Sequence, residues 1–345
     1  MFGLKKCKSG PVASVALCDP GKCYGGLARL ARAVGNIRES EPSTLWLNAG
    51  DFYQGTVWYT QFKWRVISLF SNILDFDAMT LGNHEFDDNI AGIAPFLANQ
   101  SSPVVVTNLN TSKVPELSGL VVPSVVLEVN GRRVGIVGYL TPLTAHISDP
   151  GPDLVFTDEV AALTSETERL AEAGVEVILA LGHSGYTRDL EIAKAVPLLD
   201  VIVGGHSHSL LVPAGRAAPS KEEVRGSYPS LVTERPGTAY PALVVQAYAY
   251  TKYLGRLDLQ FSDGGEVVGW SGGPVLLDSS FPPDPVIQQA LQPWQAQLAE
   301  LTNTVLGTAG EPLLIARDRE TNLGNLVADS MVQAWENASL PGYSR

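Results

Sequence analysis

Apolar runs of strand length recur along the chain with helical stretches between them. The runs are "TLWLNAG" (44–50), "DAMTLG" (77–82), "PVVVTNL" (103–109), "VEVILALG" (175–182) and "LDVIVGG" (199–205). Most carry almost no polar residue, the pattern of strands buried on both faces. The intervening pieces "LARLARAVGNIRES" and "EVAALTSETERLAEAG" repeat apolar residues at helical spacing and end in Gly or polar residues. Alternating strands and helices predict an α/β layered domain with mixed sheets. Two apolar runs around Asn130 and Gly131 predict a β-hairpin, and a second is expected around Asp263 and Gly264. Residues 207–241, rich in Pro, Gly and Ser, read as a long surface excursion. After "SSFPPDP" a helix is expected from about 285 to 304, and then a new strand and helix within "LGTAGEPLLIARDRETNLGNLVADSMVQAW".

Composition narrows the class. At 345 residues and 45% hydrophobic, the chain is large enough to bury a core without disulfides, and no segment is apolar for the length of a bilayer. A net charge of −12 excludes a nucleic-acid surface, which relies on an excess of Lys and Arg. An anionic substrate would need local cations to offset that field. The three cysteines, Cys7, Cys18 and Cys23, lie close together, and Cys18 and Cys23 bracket the turn-forming "DPGK". A small disulfide loop with Cys7 left over fits this better than zinc, because paired thiol spacing is missing. Acceptor sequons at Asn99, Asn110 and Asn337 agree with a secreted or extracellular setting, although the apolar run near the start is too short for a signal-peptide core.

The histidines change the picture. Four of the five follow one grammar, an apolar strand, then Gly, then a metal-ligand residue type: His84 after "TLGN", His183 after "LALG", and His206 and His208 after "VIVGG". Asp51 follows "LWLNAG" in the same way. Strand ends of an α/β sheet gather at one edge, so residues just beyond them converge in space. Asp, Asn and His are oxygen and nitrogen donors suited to Zn, Mn or Fe, and a carboxylate such as Asp51 can bridge two ions. His146, in "PLTAHISDP", lacks this context and reads as a structural or surface residue. Asp87 admits two readings, a helix N-cap before "IAGIAPFL" or the group that orients His84.

The motifs "NAGDFYQGT", "GNHEFD", "GHSGY" and "GGHSHS" resemble those of the calcineurin-like metallophosphoesterases, specifically the 5'-nucleotidase family. The stretches "CYGGLARL", "GIVGYLTP", "LVFTDEV", "VVQAYAYTKYLG" and "RETNLGNLVADSM" carry the likeness toward the animal ecto-5'-nucleotidases and arthropod apyrases, over almost the whole chain from Cys18. The resemblance implies a four-layer α/β fold, two mixed sheets sandwiched with flanking helices. It implies a metallophosphoesterase domain over 1–283, a linker helix over 284–305 and the start of a nucleoside-binding α/β domain over 306–345. It implies two divalent metal ions, Zn above Mn, Mg or Ca. Asp51 would bridge them, Asn83, His183 and His206 would complete one, and His208 would stand near the other. His84 would stabilise the transition state or protonate the leaving oxygen, with Asp87 orienting it. Arg317 would hold the nucleotide phosphate, with Arg319 beside it.

The activity so implied is hydrolysis of AMP to adenosine and phosphate, or of ATP and ADP in the apyrase manner. The setting is extracellular or cell-surface, with a GPI anchor and a homodimer as properties of the family's whole enzymes. Two departures stand out. The family opens with a strand ending in Asp-x-His that supplies two metal ligands, and no such motif lies upstream of Cys18; its aromatic base-binding pair would lie beyond Arg345. A chain truncated at both ends is therefore expected, and a catalytically silent binding protein is the alternative from another class.

Overall fold

The computed structural model of the protein describes residues 23–305, 307–316 and 318–337. In chain order its elements are α1 (Leu27–Ser40), β1 (Leu47–Asn48), α2 (Val57–Phe62), α3 (Trp64–Leu74), β2 (Ala78–Met79), α4 (Asn89–Ala98), β3 (Leu109–Asn110), β4 (Ser124–Val129) and β5 (Arg132–Leu140). There follow α5 (Thr144–Ile147), β6 (Val155–Phe156), α6 (Glu159–Glu172), β7 (Val177–His183), α7 (Tyr186–Ala195) and β8 (Val201–Gly204). The chain continues through β9 (Leu210–Val212), β10 (Val224–Ser227), β11 (Ser230–Val232), β12 (Ala242–Val245), β13 (Tyr253–Phe261), β14 (Val267–Leu276), α8 (Pro285–Asn303) and α9 (Asn322–Asn337).

The central sheet has the order β11-β12-β8-β7-β5-β4. Its middle pairs are parallel and its two edge pairs antiparallel. Period-two alternation decides what each face does. On β7, Ile178 and Ala180 pack with Leu163 and Leu170 of α6 and Ile192 of α7. Val177 and Leu179 point the other way, onto the β13–β14 hairpin through Leu257, Leu259 and Phe261. Leu181 meets Ala78 of β2 and the half-buried Leu47 of β1. A larger cluster from α1, α3 and α4, with Phe70, Phe96 and Leu30, covers the outer side of β1 and β2, and Trp294 of α8 closes edge-on against Phe62 at 4.8 Å. The result is four layers, helices, sheet, strands, helices, as expected. Burying each such Leu, Ile or Phe contributes ~1.5–3 kcal/mol, so these seams set the strand positions to which the site is attached.

Compactness divides the chain between Leu298 and Ala299, within α8. In the smaller unit a strand was expected before the last helix. Among the described residues 311–316 carry none. The backbone there is tied to the first residue of α9 instead: Asn322 Oδ1 accepts from Leu314 N–H at 2.7 Å and its Nδ2 donates to Pro312 O at 3.0 Å.

Two further expectations need correction. Residues 207–241 are not only a surface excursion, since Leu210, Leu211 and Val212 are buried and Ser230–Val232 forms the edge of the central sheet, antiparallel to β12. The runs at 44–50 and 77–82 supply only two paired residues each, in parallel register Leu47↔Ala78 and Asn48↔Met79. Both hairpins form where expected, around Asn130–Gly131 and residues 262–266.

Candidate metal centre

β1, β2, β7 and β8 run parallel within their sheets, and the chemistry sits just past their C-terminal ends. Asp51 follows β1 by three residues and Asn83 follows β2 by four. His183 is the last residue of β7, on the inter-sheet face that alternation assigns to Val177, Leu179 and Leu181. His206 follows β8 by two. Asp51, His183 and His206 each offer a ligand atom, and those atoms lie within 4.8 Å of one another. Asn83, 4% exposed, joins them through Oδ1, 3.0 Å from His206 Nδ1.

The local backbone is strained to make this possible. Asp51, His206 and His208 have φ of 54°, 69° and 51°, in the left-handed region. Such conformations cost on the order of 1–2 kcal/mol per residue and gather at functional sites. Gly82 shows why a glycine precedes Asn83: a Cβ there would lie 2.2 Å from Asp51 Oδ1 and 2.7 Å from His183 Nε2. Glu85, 1% exposed, locks the two loops together. Its carboxylate accepts the N–H groups of Gly82 at 2.7 Å, Asp51 at 2.9 Å and Tyr53 at 2.9 Å. Burial and then the charge of Asp51 push the Glu85 pKa up, against these donors.

The electrostatics of the pair Asp51 and His183 favour a cation. His183 is 1% exposed and its Nδ1 faces Ala49 O at 2.6 Å, which places a proton on Nδ1. Nε2 lies 2.9 Å from Asp51 Oδ2, yet it is not aligned for a hydrogen bond and has no other partner. Two potential ligand atoms thus lie side by side, with a third on His206 in the same group, close enough to share one ion. Either a second proton on His183 or a bound cation must relieve the repulsion between them. Burial works to raise the pKa of Asp51, but His183 and the backbone N–H of His84 outweigh it and bring it down to about 2. Burial works to lower that of His183, and Asp51 turns the net shift upward. His206 is shifted down, by burial and then by His183, which keeps it the neutral imidazole that a metal requires. The donor set fits a divalent ion of the Zn or Mn kind.

His84 stands beside this group. Its backbone N–H donates to Asp51 Oδ1 at 3.0 Å, and its Nδ1 is 2.7 Å from Asp87 Oδ2. Asp87 is not the N-cap of α4, a position that Asp88 occupies; it closes the 3-10 turn His84–Phe86, and its carboxylate accepts from Gln54 and Ser148, each at 2.7 Å. The hydrogen bond to Asp87 raises the His84 pKa to about 9, against burial and with help from Asp51. A cation held at Asp51 would pull it back down. His208 is not part of the group of three: it is exposed, and its ring meets Tyr250 edge-on at 5.3 Å. His146 is exposed on α5, as expected. Cys23 is buried, whereas Cys18 and Arg317 lie outside the described residues; Arg319 is exposed in the smaller unit. Glu85 in "GNHEFD", Gln54 in "NAGDFYQGT" and Ser148 in "PLTAHISDP" lie within stretches that mark the site, yet nothing in their local pattern points to these contacts.

Comparison with known proteins agrees with this geometry. The family model of the calcineurin-like phosphoesterases matches residues 15–210, more than half of the chain. The chain belongs to the calcineurin-like phosphoesterases. This phosphoesterase is 44% identical over 318 residues to a 5'-nucleotidase of Mus musculus, covering 90% of its own length and 54% of the mouse protein. It is 40% identical over 325 residues to an apyrase of Tabanus yao, covering 92% and 58% respectively. Among solved structures, that of a 5'-nucleotidase precursor from Thermus thermophilus superposes with a TM-score of 0.83 at 35% identity, covering 92% of the phosphoesterase and 62% of the bacterial chain. The phosphoesterase thus spans about half the length of the curated relatives it matches.

Proposed function

We propose that this phosphoesterase hydrolyses nucleotide 5'-phosphate esters, AMP to adenosine and phosphate, with divalent metal held by Asp51, Asn83, His183 and His206. The observation that carries the reading is the buried His183 Nε2, without a hydrogen-bond partner, grouped with ligand atoms of Asp51 and His206 within 4.8 Å of one another, beside the His84 backbone N–H that donates to Asp51 Oδ1 at 3.0 Å. A divalent cation bound there supplies Lewis-acid charge for the phosphoryl oxygens and lowers the pKa of water. The chain's own residues do the rest. Asp87 takes His84 Nδ1, so Nε2 is the ring nitrogen left for substrate, on a side chain 43% exposed. As an imidazolium, His84 stabilises charge on the phosphoryl group and gives its proton to the leaving ester oxygen as water adds to phosphorus.

Zinc as the resident metal, an extracellular or cell-surface location, a Cys18–Cys23 disulfide and glycans on the exposed Asn99 and Asn110 belong to the same proposal. So do a metallophosphoesterase domain over 1–283, a linker helix over 284–305, a nucleoside-binding domain from 306 with Arg317 on the phosphate, and a GPI anchor and homodimer for the whole enzyme. The relative named apyrase supports a second substrate class, ATP and ADP. A silent metal-binding role is the competing reading, favoured by His208 standing outside the ligand group. Phosphate release from AMP, ADP and ATP, with Zn or Mn added and then chelated, separates these. Metal-dependent release supports hydrolysis; a folded, metal-loaded protein that releases none would leave only the silent role.

A further inference from the structure

We infer that Gln246 is the positioning residue that holds the His206–His208 loop in ligand geometry. This rests on the metal-site reading above and deepens it. Gln246 directly follows β12, whose parallel register with β8, Val244↔Ile202 and Val245↔Val203, brings its side chain beside the Gly204–Gly205 turn. It is 2% exposed. Its Nε2 donates to Gly205 O at 2.9 Å. Its Oε1 accepts from Ser209 N–H at 2.5 Å and from Ser207 Oγ at 3.1 Å. One amide therefore ties down the residue before His206, the residue between the two histidines and the residue after His208.

That loop needs an external tie. His206 and His208 both sit in the left-handed region, and within Gly205–Ser209 the one backbone pairing is Ser207 N–H to Gly205 O at 2.8 Å, which leaves the Ser209 N–H to a side-chain partner. A side-chain amide, with a donor and an acceptor on one plane, is suited to pin a carbonyl and an N–H of the same turn at once. Room for it is kept by the backbone: a Cβ on Gly204 would lie 3.3 Å from Gln246 Nε2 and clash with Asp189 Oδ2 at 2.0 Å. Ser207 extends the tie outward, since its Oγ also accepts the N–H of Tyr186 at the start of α7 at 3.0 Å. No atom of Gln246 touches the ligand group, and its effect passes through His206.

The test is cobalt(II) binding, read by titration calorimetry and by the visible ligand-field spectrum, which reports coordination geometry and not activity. Gln246→Met removes all three hydrogen bonds at similar volume. It is expected to weaken Co(II) binding by about tenfold or more and to alter the spectrum, the range seen when a partner that orients a metal ligand is removed. Gln246→Glu keeps the two acceptor contacts and is expected to recover part of the loss. His206→Ala is the control, and should abolish the wild-type spectrum. If His206→Ala does so while Gln246→Met binds and absorbs like wild type, the role of Gln246 is overturned and the metal site stands. If His206→Ala also leaves binding unchanged, the metal-site reading itself falls. Should Gln246→Met not fold, Ser207→Ala at its exposed position drops the contact with Gln246 together with those to Tyr186 N–H and Ser209 Oγ, and is expected to weaken binding severalfold; unchanged binding would overturn the inference.

Discussion

Replacing Glu85 with alanine should loosen the fold and the site together, and the structure sets the size of the effect. The carboxylate accepts three N–H groups, those of Gly82, Asp51 and Tyr53, in a setting where Glu85 is 1% exposed. Each buried donor left unpaired costs about 1–3 kcal/mol, so the loss is roughly 3–9 kcal/mol, a large part of the ~5–15 kcal/mol that holds a typical domain. Glu85→Gln keeps one acceptor oxygen but sets an NH2 against a backbone N–H, and should lose only ~1–3 kcal/mol. Urea unfolding followed by tryptophan fluorescence measures both, and Co(II) titration of the folded fraction shows whether Asp51 has shifted. A Glu85→Ala protein within about 1 kcal/mol of wild type, or one that binds Co(II) with wild-type affinity, would refute the idea that this carboxylate ties the two ligand loops together.

Four other outcomes are expected. Gly82→Ala should abolish metal binding in calorimetry while α-helical circular dichroism persists, because the added methyl lands on Asp51 Oδ1 and His183 Nε2. His84→Ala should lower kcat for AMP by about 10²–10⁴-fold while Co(II) affinity stays within a few-fold of wild type; parallel loss of both would make His84 a ligand. Arg235→Lys should destabilise by ~2–4 kcal/mol in urea, because the buried guanidinium donates to the carbonyls of Ala193, Val196, Pro197, Leu199 and Tyr240, a fan that one ammonium cannot reproduce. Burial raises the Asp200 pKa from 3.8 to about 6, so the folded state holds this proton more tightly than the unfolded state. The group therefore lowers stability as pH rises from about 4 through 6, by ~3 kcal/mol in full, and Asp200→Asn should gain that much on wild type at pH 7 and nothing near pH 4. An equal difference at both pH values would contradict the assignment.

Helices and long strands were legible because the hydrophobic period alone determines them. The apolar positions Leu27, Leu30, Ala33 and Val34 mark one face of α1, and the polar run that follows ends it. β7 and β8 could be read from uninterrupted apolar runs because both faces are covered, by α6 and α7 on one side and β13–β14 on the other. β1 and β2 came out short for a physical reason: a strand exists only as far as a neighbour pairs with it, and each pairs over two residues. β9 and β11 were hidden by a Pro- and Gly-rich surrounding that reads as loop, although Leu210 and Leu211 are fully buried. In the site, Asp51, Asn83, His84, His183 and His206 were legible because each follows a strand end in the same way, whereas Asp87 as the partner of His84 came only with the family resemblance. His208 shares that pattern yet points to Tyr250, because one more residue past the turn carries it out of the group. Glu85 and Gln246 could not be read, since their work is done on backbone groups 32 and 41 residues away, and no local pattern encodes such a partner.

Crystals soaked in Mn(II) and measured for anomalous scattering would locate the metal without reference to turnover. A peak within coordination distance of Asp51, Asn83, His183 and His206, lost in Asp51→Asn, is the expected result. A map with no peak at that point, or with the ion bound elsewhere while His183 Nε2 stays unpaired, would contradict the reading of this strand-end cluster as a phosphoesterase metal centre.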